Sequence, residues 1–308
     1  AIAIAMVLAT SPEISHPPLE LLFTIDEENG LTGAIGLETG MLQGKTMLNL
    51  DSEDEGVFTI GCAGGRETQI SLPLQYAEVP AGFRPVKISA AGMFGGHSGV
   101  NIHVGRANAL KLMARTLNMV RSEGDLFMTF IGGGTAHNAI PRAAQAIIYI
   151  NNEKIGPIQE IVQQAQEIFR GEYAKTDPEL NMSFEPIDQL PDRRAMTLEA
   201  TIRVISLLLG LPHGVAAMSK DVEGLVETSN NLASAAIEEG KLKIISSQRS
   251  SVMSRLTAIT KKVEAVAFLA GATCLSNIGY PSWQPNIKSP LLELFRKTYK
   301  KLFKKEAK

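Results

Sequence analysis

The spacing of hydrophobic and polar positions changes several times along the chain, and each change predicts a new element. Residues 1–10, "AIAIAMVLAT", are apolar almost throughout and predict a helix. Short apolar runs at 19–25 and 46–50 predict strands, with a short helix near 31–39 between them and β-rich sequence at 57–76. "EVPAGFRP" at 78–85 carries two prolines and a glycine, which predicts a domain boundary. Beyond it come a strand at 86–91, a helix at 106–121, strands at 125–131 and 143–150 and a helix at 154–170, a β-α-β-β-α unit. A helix at 195–209, strands at 225–236 and 241–248, a helix at 252–269 and a strand at 272–277 predict a second unit of the same kind. "GYPSWQPNIKSP" at 279–290 marks the exit, and the last segment predicts an amphipathic helix whose Lys and Arg collect at its C-terminal end, where they suit the helix dipole.

The expected architecture is α/β: a layered catalytic domain built from 1–84 and 279–308, interrupted by an inserted α+β domain at 85–278. Composition narrows the partners. A formal charge of −2, with 44% hydrophobic and 20% charged residues, offers no basic surface for nucleic acid. No apolar run reaches the roughly 18 residues needed to cross a bilayer. Cys62 and Cys274 stand far apart, with neither a disulfide framework nor a CxxC metal pattern, so a cytoplasmic location is expected.

Two of the apolar runs end alike. "LLFTIDEENG" and "MLNLDSEDEG" each pass from an expected strand into carboxylates and then glycine. In an open α/β sheet the ligand crevice lies beyond the carboxyl ends of the strands, and carboxylates from two strand ends can share a divalent metal site there. Glu27 and Glu28 are adjacent, so in an irregular turn one can bind metal while the other holds a water. Acids of this kind are equally suited to capped helix starts and solvated turns. Spacing leaves both readings open.

The segments "HPPLELLFTIDEENGLTGAIGLE", "LNLDSEDEG", "GCAGG", "VPAGF", "GGHSGVNIHVGRANA", "GGGTAHNAIPR", "VETSNN" and "GYPSWQP" resemble, in this order, those of the dinuclear zinc exopeptidases, and among them the Xaa-His (aminoacyl-histidine) dipeptidases. The resemblance implies a zinc-exopeptidase catalytic domain with an inserted lid and two divalent metal ions, zinc first, with cobalt or manganese as alternatives. It implies a dipeptide substrate such as β-alanyl-histidine and a lid that either closes over the site or forms a homodimer, and the sequence does not decide between the two. Position by position, Glu27 corresponds to the general base, Glu28 and Asp51 to metal ligands, and His97 to the histidine that stabilises the transition state. Asn138 and Arg249 correspond to residues that hold the substrate's carboxylate, a task the planar guanidinium suits. "GGGT" at 132–135 lacks the Lys-Ser/Thr of a phosphate loop and is given no nucleotide role.

The same resemblance implies ligands that this sequence lacks, a His-x-Asp segment and a bridging Asp before Ala1 and a histidine after Lys308. The expectation is therefore of a chain cut at both ends, inactive by itself and prone to aggregate. Two other functions compete: an amidohydrolase acting on N-acyl amino acids, and a non-catalytic remnant that serves binding or dimerisation.

Overall fold

The computed structural model describes residues 1–27, 31–51 and 54–308. They form two compact units, Ala1–Phe58 with Pro290–Lys308, and Thr59–Ser289.

The first unit holds α1 (Ile2–Thr10), α2 (Thr32–Ile35) and the C-terminal helix Pro290–Phe303. The strands expected at 19–25 and 46–50 do not form: both segments are irregular, and their apolar side chains are exposed. A strand is stable only beside a hydrogen-bonded neighbour with one face covered, and no described residue of this unit supplies one. The helix expected at 31–39 is reduced to the single turn of α2, and α1 buries none of its side chains. Order is concentrated at the C-terminal helix, where Leu292 is buried and the Phe58 ring stands edge-on to Phe295 at 5.3 Å and to Tyr299 at 5.8 Å. The Lys308 backbone closes the arrangement, its N–H donating to the Gly56 carbonyl at 2.8 Å and its own carbonyl accepting from Phe58 at 3.0 Å.

The second unit begins with β1 (Gly64–Pro73), β2 (Tyr76–Glu78), β3 (Phe83–Ala91) and β4 (Gly96–His97), followed by α3 (Ala109–Val120). Next come β5 (Leu126–Gly133), β6 (Ala139–Ile140), β7 (Ala144–Asn151), α4 (Ile155–Glu172), β8 (Asn181–Pro186) and β9 (Arg194–Met196). The chain continues through α5 (Leu198–Gly210), β10 (Gly214–Met218), β11 (Val226–Glu238), β12 (Lys241–Ser250), α6 (Met253–Leu269) and β13 (Thr273–Ser276), which leaves Pro290–Phe303 as α7. Nine strands make one antiparallel sheet in the order β13-β1-β12-β11-β5-β7-β3-β8, with β10 added beside β11. Two-stranded ribbons, β2 with β9 and β4 with β6, and isolated antiparallel bridges at Cys62↔Trp283 and Gly65↔Tyr280 add to the pairing.

That strand order contains one topology twice. The set β3, α3, β5, β7, α4, β8 gives the sheet order β5-β7-β3-β8, and the set β1, α5, β11, β12, α6, β13 gives β11-β12-β1-β13. The first set is inserted into the second, after β1. The two meet where Gly133 of β5 lies opposite Ala235 of β11, and α3 packs beside α5. The repeated unit expected from 85 onward is therefore present, but its second copy begins with β1, which pairs along its whole length with β12 from Gly64↔Ser250 to Pro73↔Lys241. The compact units divide at 58/59 and 289/290.

Helix and strand faces follow from their periodicities. In α3 the residues Leu110, Met113, Ala114 and Leu117 are fully buried, a stripe of i, i+3, i+4, i+7 that packs into the main core with Val86, Ile88, Met128 and Ile148 of the sheet. Asn108 caps this helix by accepting from the backbone of Leu110 and Lys111. In β12 the alternation places Gln248 on the side of a buried polar network, where it donates to Asn230 at 2.8 Å and accepts from Thr68 at 2.9 Å. Its neighbour Arg249 is left on the opposite face.

Candidate active site

In the second unit the segment "GGHSG" forms a braced loop around His97. Gly96 has φ +136°, and a Cβ there would lie 2.6 Å from Arg106 Nη1 and 2.8 Å from Asn101 Oδ1, so only glycine fits. Asn101 grips His97 twice: its side-chain oxygen accepts from the His97 N–H at 3.0 Å, and its own N–H donates to the His97 carbonyl at 2.8 Å. Arg106 Nη1 donates to the Gly95 carbonyl at 2.5 Å. One carboxylate holds both ends of the loop. Asp177, fully buried, accepts from Phe94 N–H at 2.9 Å and from Ala107 N–H at 2.8 Å.

The imidazole of His97 has a defined tautomer. Its Nδ1 accepts from the backbone N–H groups of Gly99 and Val100, each at 3.2 Å, which puts the proton on Nε2. Burial, together with the nearby charges of Arg249 and His137, lowers the His97 pKa, so the neutral ring prevails near pH 7. A neutral imidazole with a free Nε2–H is a hydrogen-bond donor suited to a developing oxyanion.

Arg249 reaches this loop from β12. A Cβ at Gly99 would lie 3.1 Å from His97 Cε1 and 3.3 Å from Arg249 Cζ, so the imidazole and the guanidinium flank the same bare α-carbon. Asn138 is brought alongside by the β4–β6 ribbon, in which His97 pairs with Ala139, and the Asn138 carbonyl accepts from Ser98 N–H at 2.7 Å. Asn231 ties the ribbon to β11 by donating to the Ala139 carbonyl at 2.7 Å. Three buried atoms here, Ser98 Oγ, Asn231 Oδ1 and Arg249 Nε, have no hydrogen-bond partner among the described residues. His97, the backbone of Asn138 and Arg249, three positions singled out in the sequence, thus lie close together.

The acidic positions stand differently. Glu27 lies in an exposed turn of the first unit. Asp51 is also exposed, with its N–H donating to Asn49 Oδ1 at 2.8 Å. Glu28 lies outside the described residues. Among the described residues no three His, Cys, Asp or Glu side chains gather as a metal site. His213 sits apart from the site, against Asn108. Sequence reasoning missed Asn101 and Asp177. The double glycine was the one local signal of a strained, braced loop.

Fold and site together describe an α+β domain of the kind inserted into exopeptidases, and comparison with known proteins bears this out. Residues 88–177 match the family model described as the peptidase dimerisation domain, M20_dimer. Over 303 residues, 98% of this chain, the sequence is 37% identical to the cytosol non-specific dipeptidase of Escherichia coli (strain K12), of which it covers 62%. The crystal structure of aminoacylhistidine dipeptidase from Vibrio alginolyticus superposes with a TM-score of 0.94 at 36% identity, over 99% of this chain and 62% of that one. The chain is similar to these dipeptidases over nearly its whole length, as the motifs implied, and spans about three-fifths of the length of the relatives it matches. The M20 dipeptidase family uses divalent metal ions. No helix among the described residues is long and apolar enough to cross a membrane.

Proposed function

We infer that the function of this protein is that of a cytoplasmic, metal-dependent dipeptidase that hydrolyses unblocked dipeptides, with preference for Xaa-His substrates such as β-alanyl-histidine. The observation that carries this reading is the meeting of a neutral, Nε2-protonated His97 and the Arg249 guanidinium across Gly99. One group donates a hydrogen bond to an oxyanion, and the other binds a carboxylate at its side. That pair matches a peptide carbonyl followed by a free C-terminus. Arg249, with Asn138, orients the substrate by its terminal carboxylate, and His97 stabilises charge on the carbonyl oxygen.

In this reading Glu27 would serve as the general base, and Glu28 and Asp51 would help to hold two divalent ions, zinc first, which when bound would supply an activated water. The centre rests on the kinship with metal-using peptidases. Dimerisation through the inserted domain is part of the same proposal. The β5 and β11 edges meet each other within the chain, and β8, β13 and β10, each paired on one side only among the described residues, are the outer strands a second copy could join.

The test is hydrolysis of β-alanyl-histidine by the full-length gene product loaded with zinc. Glu27→Gln should abolish turnover with the fold intact, and His97→Ala should lower kcat by roughly 100-fold or more. Activity confined to N-acylated amino acids would replace the dipeptidase reading by an amidohydrolase. A Glu27→Gln variant with undiminished turnover would remove the assigned base.

A further inference from the structure

Arg249 is anchored by a residue that the roles above do not use. Its Nη1 donates to the hydroxyl of Tyr280 at 2.9 Å. Tyr280 is fixed in turn by its backbone, whose N–H donates to the Gly65 carbonyl at 3.0 Å and whose carbonyl accepts from Gly65 N–H at 3.1 Å. Gly65 lies directly opposite Arg249 in the β1–β12 register. The tyrosine ring crosses over Gly65 so closely that a Cβ there would stand 2.5 Å from both its Cζ and its hydroxyl oxygen. The segments "GCAGG", "SSQRS" and "GYPSWQP", far apart in the chain, therefore meet at one guanidinium.

The chemistry of the anchor matters. Arginine must be held still to grip a carboxylate with parallel hydrogen bonds, yet a carboxylate anchor would neutralise it and compete with the ligand. A phenol oxygen accepts one N–H and leaves the positive charge uncompensated. Among the described residues Arg249 forms no ion pair. We propose that Tyr280 is a positioning residue that sets the rotation of the Arg249 guanidinium for a substrate carboxylate, and that Gly65 lacks a side chain so that the ring can lie there. The proposal rests on the reading that Arg249 binds that carboxylate.

The experiment uses the zinc-loaded full-length gene product with β-alanyl-histidine and its C-terminal carboxamide, which lacks the charged group. Tyr280→Phe should raise KM for the free dipeptide about 10-fold, leave kcat within about twofold and leave the carboxamide unaffected, as expected for loss of order in a charge-assisted contact. Gly65→Ala keeps the hydroxyl but displaces the ring, and should give the same pattern. In an Arg249→Met background Tyr280→Phe should have no further effect, because a residue that acts through another loses its role when that partner is gone.

Normal kinetics for Tyr280→Phe, alongside a raised KM for Arg249→Met, would overturn the positioning role and leave the carboxylate reading standing. Additive effects of the two changes, or equal losses on acid and carboxamide with a lowered Tm, would overturn it as well. An Arg249→Met variant with unchanged KM would remove the carboxylate reading itself.

Discussion

The side-chain amide of Asn108 donates to Nδ1 of His213 at 3.2 Å. The same amide donates to the Leu232 carbonyl at 2.8 Å, while its oxygen caps α3, so one buried asparagine joins β11, α3 and the segment after α5. His213 is held neutral in this place. Burial, and then the charge of Lys111, lower its pKa from 6.5 to about 4.

Stability should therefore fall in mild acid. Between 6.5 and about 4 the unfolded chain binds a proton that the folded chain refuses, so this contribution is complete above the window and is lost as pH descends through it. The full loss is on the order of 3 kcal/mol. Urea unfolding measured across that window should show the slope in the wild type and a flatter profile in His213→Gln.

Lys111 is the second element of this cluster. Its ammonium donates to the carbonyls of Leu208, Leu209 and Leu211 at 2.8, 2.6 and 2.8 Å and so closes the C-terminal end of α5, while burial and the charge of Arg115 bring its pKa down to about 8. Lys111→Met should cost roughly 3 kcal/mol in urea unfolding, because hydrogen bonds to a charge are lost and carbonyls are left unpaired. In the same variant the NMR titration midpoint of His213 should rise, since a repelling cation has been removed.

Asp177 braces the His97 loop at both ends. Replacement by Asn turns one acceptor into a donor facing a backbone N–H and should cost about 2 kcal/mol. Hydrogen exchange should then quicken between Phe94 and Ala107 while the strands of the large sheet keep their protection.

The second unit carries its own core. Its buried hydrophobic residues run from Ile70 to Ala272, whereas among the described residues of the first unit Leu292 alone is a buried hydrophobic. Thr59–Ser289 expressed alone should unfold cooperatively, with a urea midpoint close to that of the whole chain. A broad, non-cooperative transition would show that this core is not self-sufficient.

Local pattern was enough for most elements of this unit. The strand expected at 241–248 forms as Lys241–Ser250, and the helix expected at 154–170 forms as Ile155–Glu172, because both are set by hydrophobic spacing within a single segment. The same rule failed at 19–25 and 46–50, where an apolar run had no partner strand among the described residues. Of the site, the sequence by itself determined which side chains were candidates: a histidine between glycines, an asparagine before a proline segment and an arginine late in a strand. Only the tertiary structure decided that His97 and Arg249 share Gly99, that Asp177 ties the loop and that Tyr280, 31 positions along the chain from Arg249, anchors it. The physical reason is that secondary structure follows from interactions between near neighbours in the chain. Strand register and side-chain contact are fixed by pairings across the sheet, and no local spacing records them.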